Sequence, residues 1–134
     1  MNNFLINTYL NSGGQISSTN SYGEFSKNNN LIKISYESVE EGKSTLTTLF
    51  IAKNQVRLSR KGQVNYTCIL KQNEETNFDI VIDAFMLNST IRCHKIDIFE
   101  NDELFKLTLN YEVIMGETTR TEMRIEVKKG VILC

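Results

Sequence analysis

The strongest constraint on the fold is an alternation of side-chain character with period two. Between residues 119 and 127, apolar or threonine side chains occupy every second position and charged side chains occupy the positions between them. Side chains at i and i+2 share one face of a β-strand, so this segment predicts an antiparallel strand with one buried and one solvated face. The same alternation recurs along most of the chain, and no helical spacing of apolar residues competes with it. The sequence therefore predicts an all-β protein.

Polar turns divide the chain into about ten strand candidates. The candidates are residues 3–10, 15–26, 31–37, 45–51, 56–61, 65–71, 78–82, 85–99, 105–113 and 118–127. Residues 15–26 are polar and weakly patterned, which fits either a polar edge strand or a loop. Residues 85–99 are too long for one flat strand, which predicts a bulge or bend near Asn88 or His94. We expect residues 1–134 to form a single closed or nearly closed antiparallel barrel of about 8–10 strands.

The charge and the apolar pattern limit the classes of partner. The net charge is −1 and the isoelectric point is near 5.9, so nothing in the composition favours nucleic acid or an anionic membrane. No apolar run reaches the roughly 20 residues that span a bilayer, and residues 1–8 lack the features of a signal peptide. Cys68, Cys93 and Cys134 are scattered, which predicts no disulfide, and we expect Cys68 and Cys93 to be thiols of the core. We therefore expect a cytoplasmic protein.

Several short motifs resemble those of one family. They are Ile-Ser-Tyr-Glu at 34–37, Thr-Thr-Leu at 47–49, the V-x-L-x-R-x-G pattern from Val56 to Gly62, and Leu-Thr-Leu-Asn-Tyr at 107–111. Over about residues 31–127 the chain resembles the YwiB-like family of uncharacterised bacterial proteins. The resemblance implies a calycin-like, lipocalin-type up-and-down barrel and brings no catalytic residues. That family has a Thr-Pro-Tyr-Gly-like turn where this chain has residues 83–88 without proline or glycine, so the geometry of that segment stays open.

Arg60 is the most suggestive residue of the chain. Val56, Leu58 and Arg60 share one face by period two, and that face is predicted to point inward. A charged side chain there must be hydrogen-bonded or reach water. Arg60 therefore closes a barrel end by packing and by bonding loop carbonyls, binds an anionic group at the mouth, or is simply exposed. Tyr36 and Tyr111 share the inward faces of their strands, and we expect them near the same opening.

No catalytic or metal-binding constellation is evident in the sequence. His94 is the only histidine, and its neighbour Cys93 points to the opposite face of a regular strand. Paired carboxylates occur at 40–41, 74–75 and 102–103, all in predicted turns. Neither a structural zinc set nor a phosphate-binding glycine loop is present, so we expect no cofactor, no metal and no enzymatic activity.

Two functional hypotheses remain, and whether the barrel interior is open or filled distinguishes them. The first is a barrel that binds a small apolar or amphipathic ligand, including an anionic one, through Arg60, Tyr36 and Tyr111. The second is a protein-interaction or self-associating module with a filled barrel and no ligand. The sequence gives no indication of the oligomeric state. Bulky candidates for the interior are Ile34, Tyr36, Val56, Leu58, Tyr66, Leu70, Phe78, Ile80, Phe105, Leu107, Leu109, Tyr111, Met123, Ile125 and Val127.

Overall fold

The computed structural model describes residues 4–40 and 42–129, and these form ten strands. The strands are β1 (Phe4–Ser12), β2 (Gln15–Asn28), β3 (Leu31–Glu40), β4 (Lys43–Ala52), β5 (Gln55–Lys61), β6 (Val64–Lys71), β7 (Glu75–Ile82), β8 (Phe85–Glu100), β9 (Leu104–Met115) and β10 (Glu117–Lys128). The predictions for Glu41 and Cys134 lie outside the described residues.

The ten strands form a closed antiparallel barrel of up-and-down topology. Each strand pairs with its neighbours in the chain, and β1 pairs with β10 to close the sheet. No helix occurs among the described residues. The predicted all-β antiparallel barrel of about 8–10 strands is confirmed, with ten strands. The inward candidates are buried except Tyr66, which is half-buried.

The bulge predicted in the long strand β8 lies at His94. The register between β8 and β9 shifts between Cys93 and Lys95, so His94 is the additional residue. The alternative position is wrong, because Asn88 pairs regularly with Asp79 of β7. The extra residue moves the inward face from Cys93 to Ile96, which packs against the core. The strand thereby turns Ile91 and Cys93 inward before the bulge and Ile96 inward after it.

Residues 15–26 belong to a strand, so the loop alternative for this segment is wrong. All of β2 from Gln15 to Gly23 pairs with β1, whereas its pairing with β3 extends only from Gly23 to Asn28. Between residues 15–22 of β2 and residues 37–40 of β3, the described backbone shows no strand pairing. The barrel wall is therefore split between β2 and β3 at one end.

The turn between β7 and β8 is tight although it contains neither proline nor glycine. Ile82 and Phe85 are paired across it, and Asp83 adopts a positive φ of 51°. Aspartate tolerates the left-handed region better than most residues, because its short side chain can hydrogen-bond the local backbone. Residues 83–88, whose geometry the resemblance left open, therefore comprise a tight turn and the first residues of β8.

The barrel interior is apolar at one end and more polar at the other. The end with the β2–β3, β4–β5, β6–β7 and β8–β9 turns, which we call the apolar end, is filled by aliphatic and aromatic side chains such as Ile6, Ile51, Val56, Phe105 and Val127. The opposite end, which we call the polar end, contains the buried polar residues Thr45, Thr47, Ser89 and Thr121. A polar interior at one end is the feature that positions a candidate site.

Candidate functional site

Arg60 lies on the inner side of β5 near the polar end, as the period-two pattern predicts. It is paired with Thr47 of β4 on one side and with Tyr66 of β6 on the other. Its side chain is half-buried, whereas Arg57 on the same strand is exposed. The two arginines therefore occupy opposite faces of the barrel wall, and only Arg60 reaches the interior.

Tyr36 belongs to the same row of inward positions. The row runs across the sheet from Gly23 to Tyr36, then to Thr47 and Arg60. Gly23 is needed there, because an added Cβ would meet the Ser35 carbonyl oxygen and would lie 2.9 Å from the Cβ of Tyr36. A glycine on β2 thus allows the close approach of the β3 backbone and of the Cβ of Tyr36.

Tyr111 approaches the same region from β9. Its side chain is 5% exposed, and burial raises its pKa well above the ordinary value. Tyr66 and Cys68 also raise this pKa, whereas the positive charge of Arg60 lowers it. Tyr111, Tyr66 and Arg60 line one pocket and therefore form one cluster.

Two pockets meet at Arg60. One, of about 50 Å³, lies along the split between β2 and β3 and contains Arg60, Tyr36 and several hydroxyl groups. The other, of about 170 Å³, opens into the barrel and contains Arg60, Tyr111 and apolar side chains. Leu10 and Met123 line both pockets as well. The structure thus brings together the three residues that the sequence proposed for a site.

The charge of the two pockets is carried by one residue. Among the described residues that line them, only Arg60 has a side chain that is charged at neutral pH. The remaining polar groups are hydroxyls and one thiol, and the apolar surface of the larger pocket includes Leu58, Phe78, Ile80 and Ile91. Such a pocket offers one cationic point, hydroxyl donors and an apolar wall to the same ligand.

Sequence reasoning did not assign Gly23, Thr47 or Tyr66 to the site. Period two placed Tyr66 inward, but no local signal places it beside Arg60, because the contact depends on the register between two strands. Ser89 was also missed: it is 2% exposed, and its Oγ has no hydrogen-bond partner among the described residues. An unpaired buried hydroxyl is unusual in a filled core.

The cysteines Cys68 and Cys93 are buried, free thiols, as predicted. Burial raises the pKa of Cys68 to about 12 and raises that of Cys93 as well. Cys68 lines the larger pocket, but its thiol stays protonated near neutral pH and is a poor nucleophile there.

His94 and Cys93 lie on opposite faces of the barrel wall. Cys93 points into the core, whereas His94 lies on the outer surface with its Nε2 2.9 Å from Glu112 Oε1. Glu112 also contacts Arg92, whose second partner is Glu75. Among residues 4–40 and 42–129, no group of three or more His, Cys, Asp or Glu residues is arranged to hold a metal ion.

In the described part of the chain, no helix combines the length and apolarity that a membrane-spanning helix requires.

Comparison with known proteins identifies relatives by sequence pattern and by fold. A family model described as "Domain of unknown function (DUF1934)" matches residues 7–127. The crystal structure of the ywiB protein from Bacillus subtilis superposes with a TM-score of 0.80 at 14% sequence identity, covering 97% of this chain and 92% of that chain. At this identity the likeness concerns the fold alone. No curated protein matches the chain.

Proposed function

Since the chain belongs to the DUF1934 family, whose description gives no activity, we propose a function from the barrel itself. The protein is a YwiB-like, non-enzymatic barrel that binds a small amphipathic anion at its polar end. We place it in the cytoplasm, where its thiols Cys68 and Cys93 stay reduced.

One observation carries this proposal: Arg60 is the single charged side chain among the described residues lining both pockets. A guanidinium presents several N–H donors in a planar fork and stays charged at all physiological pH values. In a partly desolvated pocket its attraction for an anion is stronger than in bulk water. Because none of the described residues lining either pocket carries a carboxylate, an anionic ligand meets no like charge from them.

The pocket also limits the size of the ligand. Its volume of about 170 Å³ is close to the roughly 150 Å³ of an apolar cavity that accepts a single benzene ring. Sites for drug-sized ligands usually exceed about 300 Å³. The part of the ligand inside the barrel therefore has the size of one ring or a short chain, with Phe78, Ile80 and Ile91 as its apolar contacts.

The titratable groups of the pocket support a binding role over catalysis. The pKa values of Tyr111 and Cys68 are both raised, so both groups stay protonated near neutral pH. A general base needs a pKa near the working pH, and a nucleophilic cysteine needs a lowered one. Neither group meets these requirements, whereas both can donate a hydrogen bond to a bound anion.

Native mass spectrometry of protein purified from its own cells tests the proposal. We expect the wild type to retain a small ligand, Arg60→Gln to lose it, and Arg57→Gln to keep it, because Arg57 lies on the outer face. The two variants remove the same charge from the same strand, so they form a matched pair. Equal retention by both variants, or no ligand on the wild type, would refute an Arg60-dependent site.

The split in the barrel wall supports a second candidate function. Residues 15–22 of β2 are paired with β1 but present an edge without a strand partner in the described structure. An open edge accepts a strand from another chain through main-chain hydrogen bonds. Self-association through this edge predicts a dimer in native mass spectra whose abundance rises with protein concentration, independently of Arg60.

A further inference from the structure

Four apolar side chains are exposed beside the mouth of the larger pocket. They are Val64 at 38%, Ile82 at 37%, Phe85 at 73% and Leu87 at 45% relative exposure. We call these four residues the apolar lip. Large apolar side chains clustered at one place on the surface commonly mark a binding site.

The lip extends the inner face of the barrel wall. On β8, Phe85 and Leu87 alternate in step with the buried Ser89 and Ile91, so they lie on the inward side. Leu87 is paired with Ile80, a buried residue that lines the pocket. These positions are exposed because the β7–β8 hairpin continues past the buried core, and not because they face outward.

A continuous row of paired positions connects the lip to Arg60. Arg60 is paired with Tyr66, Tyr66 with Ile80, and Ile80 with Leu87. Three strand spacings of about 4.8 Å place Leu87 roughly 14 Å from Arg60 along the sheet. One end of this row is cationic and the other is apolar.

The length of this row exceeds what the pocket alone can hold. A ligand confined to about 170 Å³ leaves Phe85 and Leu87 in water. A ligand with an extended apolar chain covers them and keeps its charged group at Arg60. From the charge at one end and the apolar surface at the other, we propose that the ligand is a linear amphipathic anion, such as a medium-chain carboxylate, whose chain lies on the lip.

This inference rests on the proposed function, since it uses the same Arg60 site. It adds that affinity increases with chain length beyond the pocket, by up to about fourfold for each methylene group that the lip buries. It also adds that the β7–β8 hairpin turn determines the preference for longer chains. This turn carries no charged group of the pocket.

Calorimetric titration of the full chain with butanoate, octanoate and dodecanoate tests the inference. We expect the wild type to bind the longer carboxylates more than tenfold more tightly than butanoate. Phe85→Ser and Leu87→Ser should each reduce this difference at least threefold and leave butanoate affinity unchanged. Octylammonium, with a similar chain and the opposite charge, should bind at least tenfold more weakly than octanoate.

Met86 supplies the matched control on the same strand. It is 67% exposed, but it is paired with Val81 and lies on the opposite face from Phe85 and Leu87. Met86→Ser should therefore leave all affinities unchanged, and an equal loss in Met86→Ser would overturn the lip. Equal affinity of all three carboxylates, with binding that still depends on Arg60, would overturn the lip and leave the proposed function standing. Failure of every carboxylate to bind would overturn both.

Discussion

At the scale of single residues, the two arginines of β5 show how position alone decides the role of a side chain. Arg60 is half-buried in the barrel and Arg57 is exposed. We expect Arg60→Ala to lower the free energy of unfolding of the ligand-free protein by about 1–3 kcal/mol, because it removes packing and leaves acceptors unpaired. Arg57→Ala should change it by less than roughly 0.5 kcal/mol. Urea denaturation measures both, and equal midpoints together with unchanged ligand retention would remove any special role for Arg60.

The raised pKa of the Cys68 thiol predicts a loss of stability at alkaline pH. Burial raises the pKa of its thiol from 9.0 to about 12. Because the folded-state pKa is the higher one, the contribution of the neutral thiol is complete below about pH 9 and is lost as the pH rises toward 12. We expect the urea midpoint to fall above pH 9, with a shallower decline in Cys68→Ala.

The reactivity of the same thiol gives an independent measurement. In the folded protein Cys68 should react slowly with a thiol reagent near neutral pH, because it is both buried and protonated. Labelling as fast as in the unfolded chain would contradict the inward assignment of β6.

At the scale of secondary-structure elements, β2 has two parts with different surroundings. Residues 15–22 are paired only with β1, residues 24–28 are paired only with β3, and Gly23 is paired with both. Gly23 stands where the two parts meet, opposite Tyr36. The position of this glycine therefore determines both where the β2–β3 pairing ends and how much space is left for Tyr36.

Gly23→Ala tests this role. The added Cβ would meet the carbonyl oxygen of Ser35 and would lie 2.7 Å from Ile6 Cδ1, so the backbone has to move. We expect a loss of about 2–3 kcal/mol in the free energy of unfolding, typical of overpacking. Ser26→Ala, at an exposed position of the same strand, should cost less than roughly 0.5 kcal/mol. Similar thermal midpoints for the two variants would show that the wall adapts to a side chain at position 23.

At the scale of the whole molecule, stability and binding are assigned to opposite ends of one barrel. The fully buried aliphatic and aromatic side chains concentrate toward the apolar end, and the half-open pockets, the hydroxyls and Arg60 lie toward the polar end. A filled end provides most of the hydrophobic stabilisation. The other end can therefore keep an open pocket without unfolding the barrel.

Alanine substitution of two leucines on the inner face tests this difference between the filled end and the open end of the barrel. Leu107 is fully buried and Leu87 is 45% exposed on the lip. We expect Leu107→Ala to cost about 2–5 kcal/mol, as cavity-forming substitutions do, and Leu87→Ala to cost less than about 1 kcal/mol. Chemical denaturation of both variants checks the contrast. A comparable loss in Leu87→Ala would mean that the lip is packed and unable to accept a ligand.

The sequence by itself determined which residues face the interior and which face water. Successive side chains of a strand point to opposite faces, so the local pattern of Val56, Arg57 and Leu58 is sufficient to assign them. The all-β class and the strand count follow from the same pattern and from the turns. Whether β2 was a strand or a loop, and whether the bulge lay at Asn88 or His94, could not be chosen from either segment alone, because the register with the neighbouring strand decides both.

Only the tertiary structure decided that Arg60, Tyr36 and Tyr111 meet, and that pockets remain beside them. The three residues are far apart in the chain, and their proximity depends on the registers of all the strands that lie between them in the barrel. The volume of a pocket is the difference between the space the barrel encloses and the side chains that fill it, and no local pattern contains either quantity. The exposure of the lip has the same origin: alternation assigns Phe85 and Leu87 to the inner face, but only the extent of the neighbouring strands leaves that face uncovered.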